Sequence, residues 1–151
     1  MKHFQAFTEK YNKIENTLIT KCYVGEPLFE TQPDATFIEF RALWDTGATF
    51  TSISDKVAAS LGLIPVSKIT INHALGQGVV NEYDVGIVLP NNAVIPYISV
   101  GEGKFDDCDV LIGMDIISLG DFSISNLNNR TTFSFRMPPF QEIDFVNDQV
   151  N

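Results

Sequence analysis

One acidic loop interrupts this chain, Ala42-Leu43-Trp44-Asp45-Thr46-Gly47-Ala48, entered from an apolar, strand-like run and never repeated along the 151 residues. That length can bury one sizeable core but cannot divide into two full lobes. If Asp45 works with a second carboxylate of its own kind, the partner must come from another chain. A two-lobed molecule with the loop once in each half is excluded.

The rest of the sequence says what frame holds the loop. Leu18 to Val24 and Thr36 to Leu43 are rich in the β-branched and aromatic residues that favour strands. Gly25-Glu26-Pro27 and Gln32-Pro33-Asp34 supply turn chemistry around them. Past the acidic loop, Phe50 to Ile53 reads as a further strand. Ser54 then stands where a side chain caps a short helix through Val57, Ala58 and Leu61, which Gly62 stops. Residues 69–100 alternate strand-like runs (69–71, 79–80, 85–89 and 94–100) with turns at Gly76-Gln77-Gly78 and Pro90-Asn91-Asn92. Asp109 to Ile117 reads as a buried strand, a glycine and a helical turn. A hairpin follows, Phe122–Ser125 and Thr131–Phe135 across Asn126–Asn129, whose alternation puts Phe122 with Ile124, and Phe133 with Phe135, on one face of each strand. The sum is a mainly β barrel or sandwich with few helices.

The two ends read differently. Phe4, Phe7, Tyr11, Ile14 and Leu18 recur at helical spacing, which predicts an N-terminal amphipathic helix over residues 1–17. Its apolar face would pack on the domain's own core or dock on a partner chain. From Met137-Pro138-Pro139 onward the sequence turns acidic and loses its period, so residues 139–151 read as a tail behind a domain spanning 18–138.

Composition removes several function classes. The chain is 44% hydrophobic with 12 Phe, the profile of a folded protein. Its net charge of -9 and pI near 4.5 set it against nucleic acid and anionic membrane surfaces. The N-terminal residues lack the apolar core of a signal peptide, and no apolar run approaches the ~20 residues of a membrane span. Only Cys22 and Cys108 are present, with no metal-ligand spacing, so neither metal nor cofactor is expected. These features read as a soluble, cytoplasmic protein in a reducing compartment.

A lone carboxylate hydrolyses poorly, whereas two that share one proton act together as base and acid. With one acidic loop per chain, that chemistry implies a symmetric homodimer whose two Asp45 residues meet at the two-fold axis. Thr46 could then hydrogen-bond across the axis, and Gly47 permits a tight backbone approach. Well downstream, Val110-Leu111-Ile112-Gly113 adds an apolar-apolar-Gly element, and a glycine-bearing hairpin lies between the two.

In these elements and their order, over roughly residues 18–137, the chain resembles the retropepsin-like aspartic proteases, single-domain homodimeric relatives of pepsin. The resemblance implies a closed acid-protease β-barrel, equivalent to half of pepsin, with short helices. It implies that Asp45 is the catalytic aspartate of an Asp-Thr-Gly signature completed by Thr46 and Gly47. Ala48 takes the next position, at the substrate, and Leu111-Ile112-Gly113 supports the loop from behind. The flap that closes over a peptide would fall at His73 to Val80, with Leu75, Gly76, Gln77 and Gly78 touching substrate; His73 is left out of catalysis. The implied activity is endopeptidase hydrolysis of a peptide bound as an extended strand, without cofactor. The alternatives are a non-catalytic dimeric peptide-binding or scaffold module on the same fold, and a β-barrel in which the tripeptide is coincidental. Met114-Asp115 departs from the viral pattern, in which Arg follows the glycine and joins an interface ion pair. Asp115 is expected to be a helix N-cap or structural partner, and the Phe122–Phe135 hairpin is itself a candidate interface.

Overall fold

Alternation decides which side chains each strand buries. In β2 (Leu18–Gly25), Leu18, Thr20, Cys22 and Val24 turn inward, and in β3 (Phe37–Trp44), Phe40, Ala42 and Trp44 do. The two pair antiparallel from Leu18↔Trp44 to Gly25↔Phe37. The computed structural model describes residues 4–29, 35–73 and 75–147; the expected turn at Gln32-Pro33-Asp34 and the end of the tail lie outside them.

From β3 the sheet continues to β8 (Val110–Ile112), β4 (Ser52–Ser54), β7 (Val94–Gly103), β6 (Gly76–Val88) and β5 (Ser67–His73). Because β6 also pairs with β2, six strands close into a ring, and β5 hangs outside it on β6. Val24, Ala42, Ile53, Val85, Ile87, Val110 and Ile112 fill the interior and are fully buried. Each large apolar side chain so placed contributes about 1.5–3 kcal/mol. Helix α1 (Asp55–Leu61) leaves β4 directly and adds Val57 and Ala58 to that core. It begins and ends as expected: Val57 N donates to Ser54 Oγ, and Gly62 takes the left-handed conformation at φ 63°. The strand before it starts at Ser52 rather than Phe50, because Phe50 belongs to the bend of the acidic loop.

A second sheet, in the order β1-β10-β9, packs on this barrel. It is built from β1 (Gln5–Lys10), β10 (Thr132–Met137) and β9 (Asp121–Ser125), the last preceded by a single helical turn, α2 (Met114–Ile117). Its inner face brings Phe7, Phe122, Phe133 and Phe135 around Trp44, with ring centroids 5.0 to 6.3 Å apart. Such pairs add about 0.5–1.5 kcal/mol each beyond their burial. The hairpin expected near the C-terminus is thus formed, and its turn uses Asn128 and Asn129 at positive φ.

The expected N-terminal helix is not there. Its segment is β1, paired antiparallel with β10 from Gln5↔Met137 to Lys10↔Thr132. The helical spacing is met by residues serving separate contacts: Phe4 stacks on Phe140, Phe7 enters the aromatic layer, and the Tyr11 hydroxyl donates to Ile19 O at 2.9 Å. Ile14 stays exposed.

Cys22 and Cys108 are free and buried, and burial, with Asp109 adding to it, pushes the Cys22 thiol up to about 12. A thiol so held is a small apolar side chain rather than a nucleophile. Among the described residues, no helix is long and apolar enough to cross a membrane.

Candidate active site

The acidic loop leaves the barrel from a fixed point. Trp44, the last residue of β3, is buried with its indole N–H on Thr20 Oγ1 at 2.8 Å, and Asp45 N donates to Ile112 O at 2.9 Å. The chain then turns tightly. Ala48 N donates to Asp45 O, and Gly47 N donates to Asp45 Oδ1 at 2.8 Å. A Cβ on Gly47 would lie 3.1 Å from that same oxygen, so any side chain there crowds the carboxylate. Asp45 is half-buried, and Thr46 and Gly47 are exposed.

The element expected to support the loop is β8 with the glycine after it. Leu111 and Ile112 of β8 run parallel to Leu43 and Trp44, and on the other side Leu111 pairs antiparallel with Ser52. A three-residue strand therefore lies between the two arms of the loop and ties both. Gly113 follows, where the backbones nearly touch: a Cβ there would fall 2.6 Å from Phe50 C and 3.0 Å from Ala48 O. Met114 N and Asp115 N then donate to Ala48 O and Thr49 O, at 2.8 and 3.2 Å.

Asp115 is a structural partner, not a helix cap. The cap of α2 is Gly113, and the Asp115 carboxylate instead accepts Thr51 Oγ1–H at 2.7 Å and Thr51 N–H at 2.9 Å. Thr51 is the residue that sequence reading missed. Its hydroxyl also accepts Gly113 N–H at 3.1 Å, so one fully buried side chain joins loop, crossing glycine and helix. The signal was present: Thr51 shares the inward parity of Ile53, a polar side chain facing the core, and such groups are hydrogen-bonded.

The expected flap is a separate hairpin, β5–β6, in register Ile71↔Gly78, Asn72↔Gln77 and His73↔Gly76. Leu75 at its tip is 94% exposed, and Gly76 takes φ 126°, open to glycine and strained for other residues. Ala74 and the His73 side chain lie outside the described residues. At the hairpin's base, Tyr83 Oη and Asn81 Nδ2 donate to Glu102 Oε2 at 2.9 and 2.8 Å. Asp45, Thr46, Gly47 and Ala48 are thus joined with Leu111, Ile112 and Gly113, while Leu75, Gly76, Gln77 and Gly78 sit on the projecting hairpin.

A recess of about 450 Å³ elsewhere is walled by Arg41, Lys56, Cys108 and Asp109 among others, without Asp45. There Asp109 is ion-paired with Lys56 at 2.9 Å. Among the described residues, no three His, Cys, Asp or Glu side chains are grouped to hold a metal ion. The acidic loop, by contrast, presents an accessible carboxylate with one oxygen fixed, able to hold a water and accept its proton.

Comparison with known proteins gives a family and a fold. Over residues 38–119 the sequence matches the family described as "gag-polyprotein putative aspartyl protease". Among solved structures, the crystal structure of a retropepsin-like aspartic protease from Rickettsia conorii superposes with a TM-score of 0.57 at 15% identity, covering 89% of this chain and 96% of that one. The solution structure of Simian Foamy Virus (mac) protease matches at a TM-score of 0.45 and 14% identity, over 67% of this chain and 92% of that one. No curated protein matches the sequence. Loop and supporting strand both fall inside the matched span, more than half of the chain: it belongs to the gag-polyprotein aspartyl protease family, with a retropepsin-like fold.

Proposed function

We propose that the protein is an aspartic endopeptidase, active as a homodimer that brings one Asp45 from each subunit to a shared site. The observation that carries this reading is the acidic loop itself: a half-buried Asp45 with Gly47 N–H on one carboxylate oxygen, on a backbone locked from behind by β8 and Thr51. Positioning of that kind is what general acid–base chemistry requires.

In the proposed reaction the two carboxylates share one proton and hold a water between them. The ionised Asp45 takes a proton from the water as its oxygen attacks the scissile carbonyl carbon, and the protonated Asp45 donates to the carbonyl oxygen. Collapse of the resulting diol breaks the C–N bond, with a proton delivered to the leaving nitrogen. Substrate lies extended between loop and flap, its backbone bonded in strand fashion. Exposed Phe50, Leu75 and Val79 offer it apolar walls.

The test is digestion of a peptide library across a pH series from acidic to neutral by wild type and Asp45→Asn. The expected result is cleavage by wild type, with a bell-shaped pH dependence, and a fall of about 10²–10⁴-fold or more in the variant. Equal cleavage by both proteins overturns the reading. Peptide capture without any cleavage would replace it with a binding module.

A further inference from the structure

If the endopeptidase reading holds, each chain carries half a site and a second copy must be seated on it. Among the described residues the second sheet has two edges, β1 and β9, each with a neighbour on one side only. The β1 edge is blunted: the turn between β6 and β7 lies against its first residue, with Asn91 Nδ2 donating to Gln5 O at 2.7 Å and Gln5 Nε2 to Asn92 O at 3.0 Å. Its far end carries the charges of Glu9 and Lys10, a common guard against strand pairing.

Among the described residues nothing pairs with the outer side of β9, and the ladder says which of its groups face that side. Tyr11 N donates to Thr131 O at 2.9 Å, one step beyond the Lys10↔Thr132 pair. In an antiparallel ladder residues alternate in the side to which they bond. Odd-numbered residues of β10 therefore bond to β1. Thr132, Ser134 and Arg136 bond to Ser125, Ser123 and Asp121 of β9. Phe122 and Ile124 are left with N–H and C=O directed outward.

We propose that this edge pairs antiparallel with its own copy about a two-fold axis at Ser123, joining two three-stranded sheets into one of six strands. Phe122 then faces Ile124 of the second copy, and the two symmetric pairs exchange four backbone hydrogen bonds. The register keeps charges apart: Asp121 falls opposite Ser125, and its carboxylate is already paired with Arg136 at 2.6 Å. It also covers apolar surface. Ile124 is 43% exposed and Leu127, just past the strand, 78%. The second copy's Ile124 extends the aromatic layer through Phe122, which lies 6.3 Å from Trp44, the residue before Asp45. Seating the partner thus bears on the strand that delivers the carboxylate.

The experiment is thiol cross-linking and sedimentation of the full chain. At the axis Ser123 faces itself in a non-hydrogen-bonded pair, with Cα atoms about 4.5 Å apart, inside the reach of a disulfide. Ser123→Cys should give a covalent dimer under mild oxidation, while Lys10→Cys on the other edge stays monomeric on a denaturing gel; native Cys22 and Cys108 are buried. Ile124→Pro deletes two intersubunit hydrogen bonds but none within the chain, and should raise the dimer Kd roughly tenfold. Ile124→Lys, which cannot disturb the ladder, should raise it as well and separates pairing from misfolding. Cross-linking at position 10 but not 123, or an undiminished dimer in both Ile124 variants, overturns the proposal. A dimer cross-linked at 123 that cleaves no peptide keeps it and removes the peptidase; a cleaving dimer indifferent to Ile124→Lys does the reverse.

Discussion

The acidic loop and the flap tip are both short turns with glycine at the bend, yet they are held in opposite ways. Within residues 45–51, Asp45, Ala48, Thr49 and Thr51 are each bonded from outside the segment, by Ile112, Gly113, Met114 and Asp115, and the approach at Gly113 leaves no room for one methyl group. The tip at Leu75-Gly76 has its hairpin ladder and an open surround: a Cβ on Gly76 would meet nothing within 4 Å. In the proposed enzyme, two requirements of a site would be met by two parts of one fold. A group that must be placed to a fraction of an ångström is fixed by distant chain, and a segment that must admit a ligand is left near the low-stability end.

The sharpest way to break this contrast is to put the same substitution on both sides of it. Gly113→Ala forces a Cβ into Phe50 backbone. It should cost about 3 kcal/mol, read from urea unfolding, with activity lost alongside. Thr51→Val removes the hydroxyl that serves both Gly113 and Asp115. The expected loss is about 2 kcal/mol, because the buried Gly113 N–H is left unsatisfied and Asp115 keeps only its backbone donors, Thr51 N–H and Ile116 N–H, and it should appear in kcat more than in KM. Gly76→Ala meets no atom but sits at φ 126°. It should cost about 1 kcal/mol or less, confined to hydrogen exchange of the hairpin, with KM changed more than melting temperature.

The smallest effect is a pH dependence remote from both. Phe140 N–H donates to Asp121 and, with Arg136 and Gln141 N–H, outweighs burial and holds that carboxyl below the usual aspartate range. A lowered folded value means stability present above the unfolded carboxylate pKa of ~3.9 and lost as pH falls through the folded one. Melting temperature should therefore fall below ~pH 4 by less in Asp121→Asn than in wild type.

The sequence was legible where structure is local. Ser54 and Gly62 bound α1 as capping chemistry requires, and the Asn-rich turn closes its hairpin. The acidic loop and its support were read from a motif and a resemblance. The misread segment was β1, because a strand at the edge of a small sheet turns only Phe7 of its six residues toward the aromatic layer, and the partner that makes it a strand is β10, at the other end of the sequence. No local period carries that information. Thr51 was overlooked for a related reason: its role depends on Gly113 and Asp115, both more than 60 residues away.

The same remoteness governs when the loop can exist at all. Its backbone acceptor, Ile112, and the residues that fasten its far arm are made long after Asp45, and the first strand waits for β10, among the last of the described segments to appear. A growing chain that has reached the flap holds Asp45 on an untied bend; contacts of such long range also make for slow folding. The carboxylate is set in place only once most of the barrel has been synthesised, so the order of synthesis would delay the proposed chemistry until the fold around it is nearly complete.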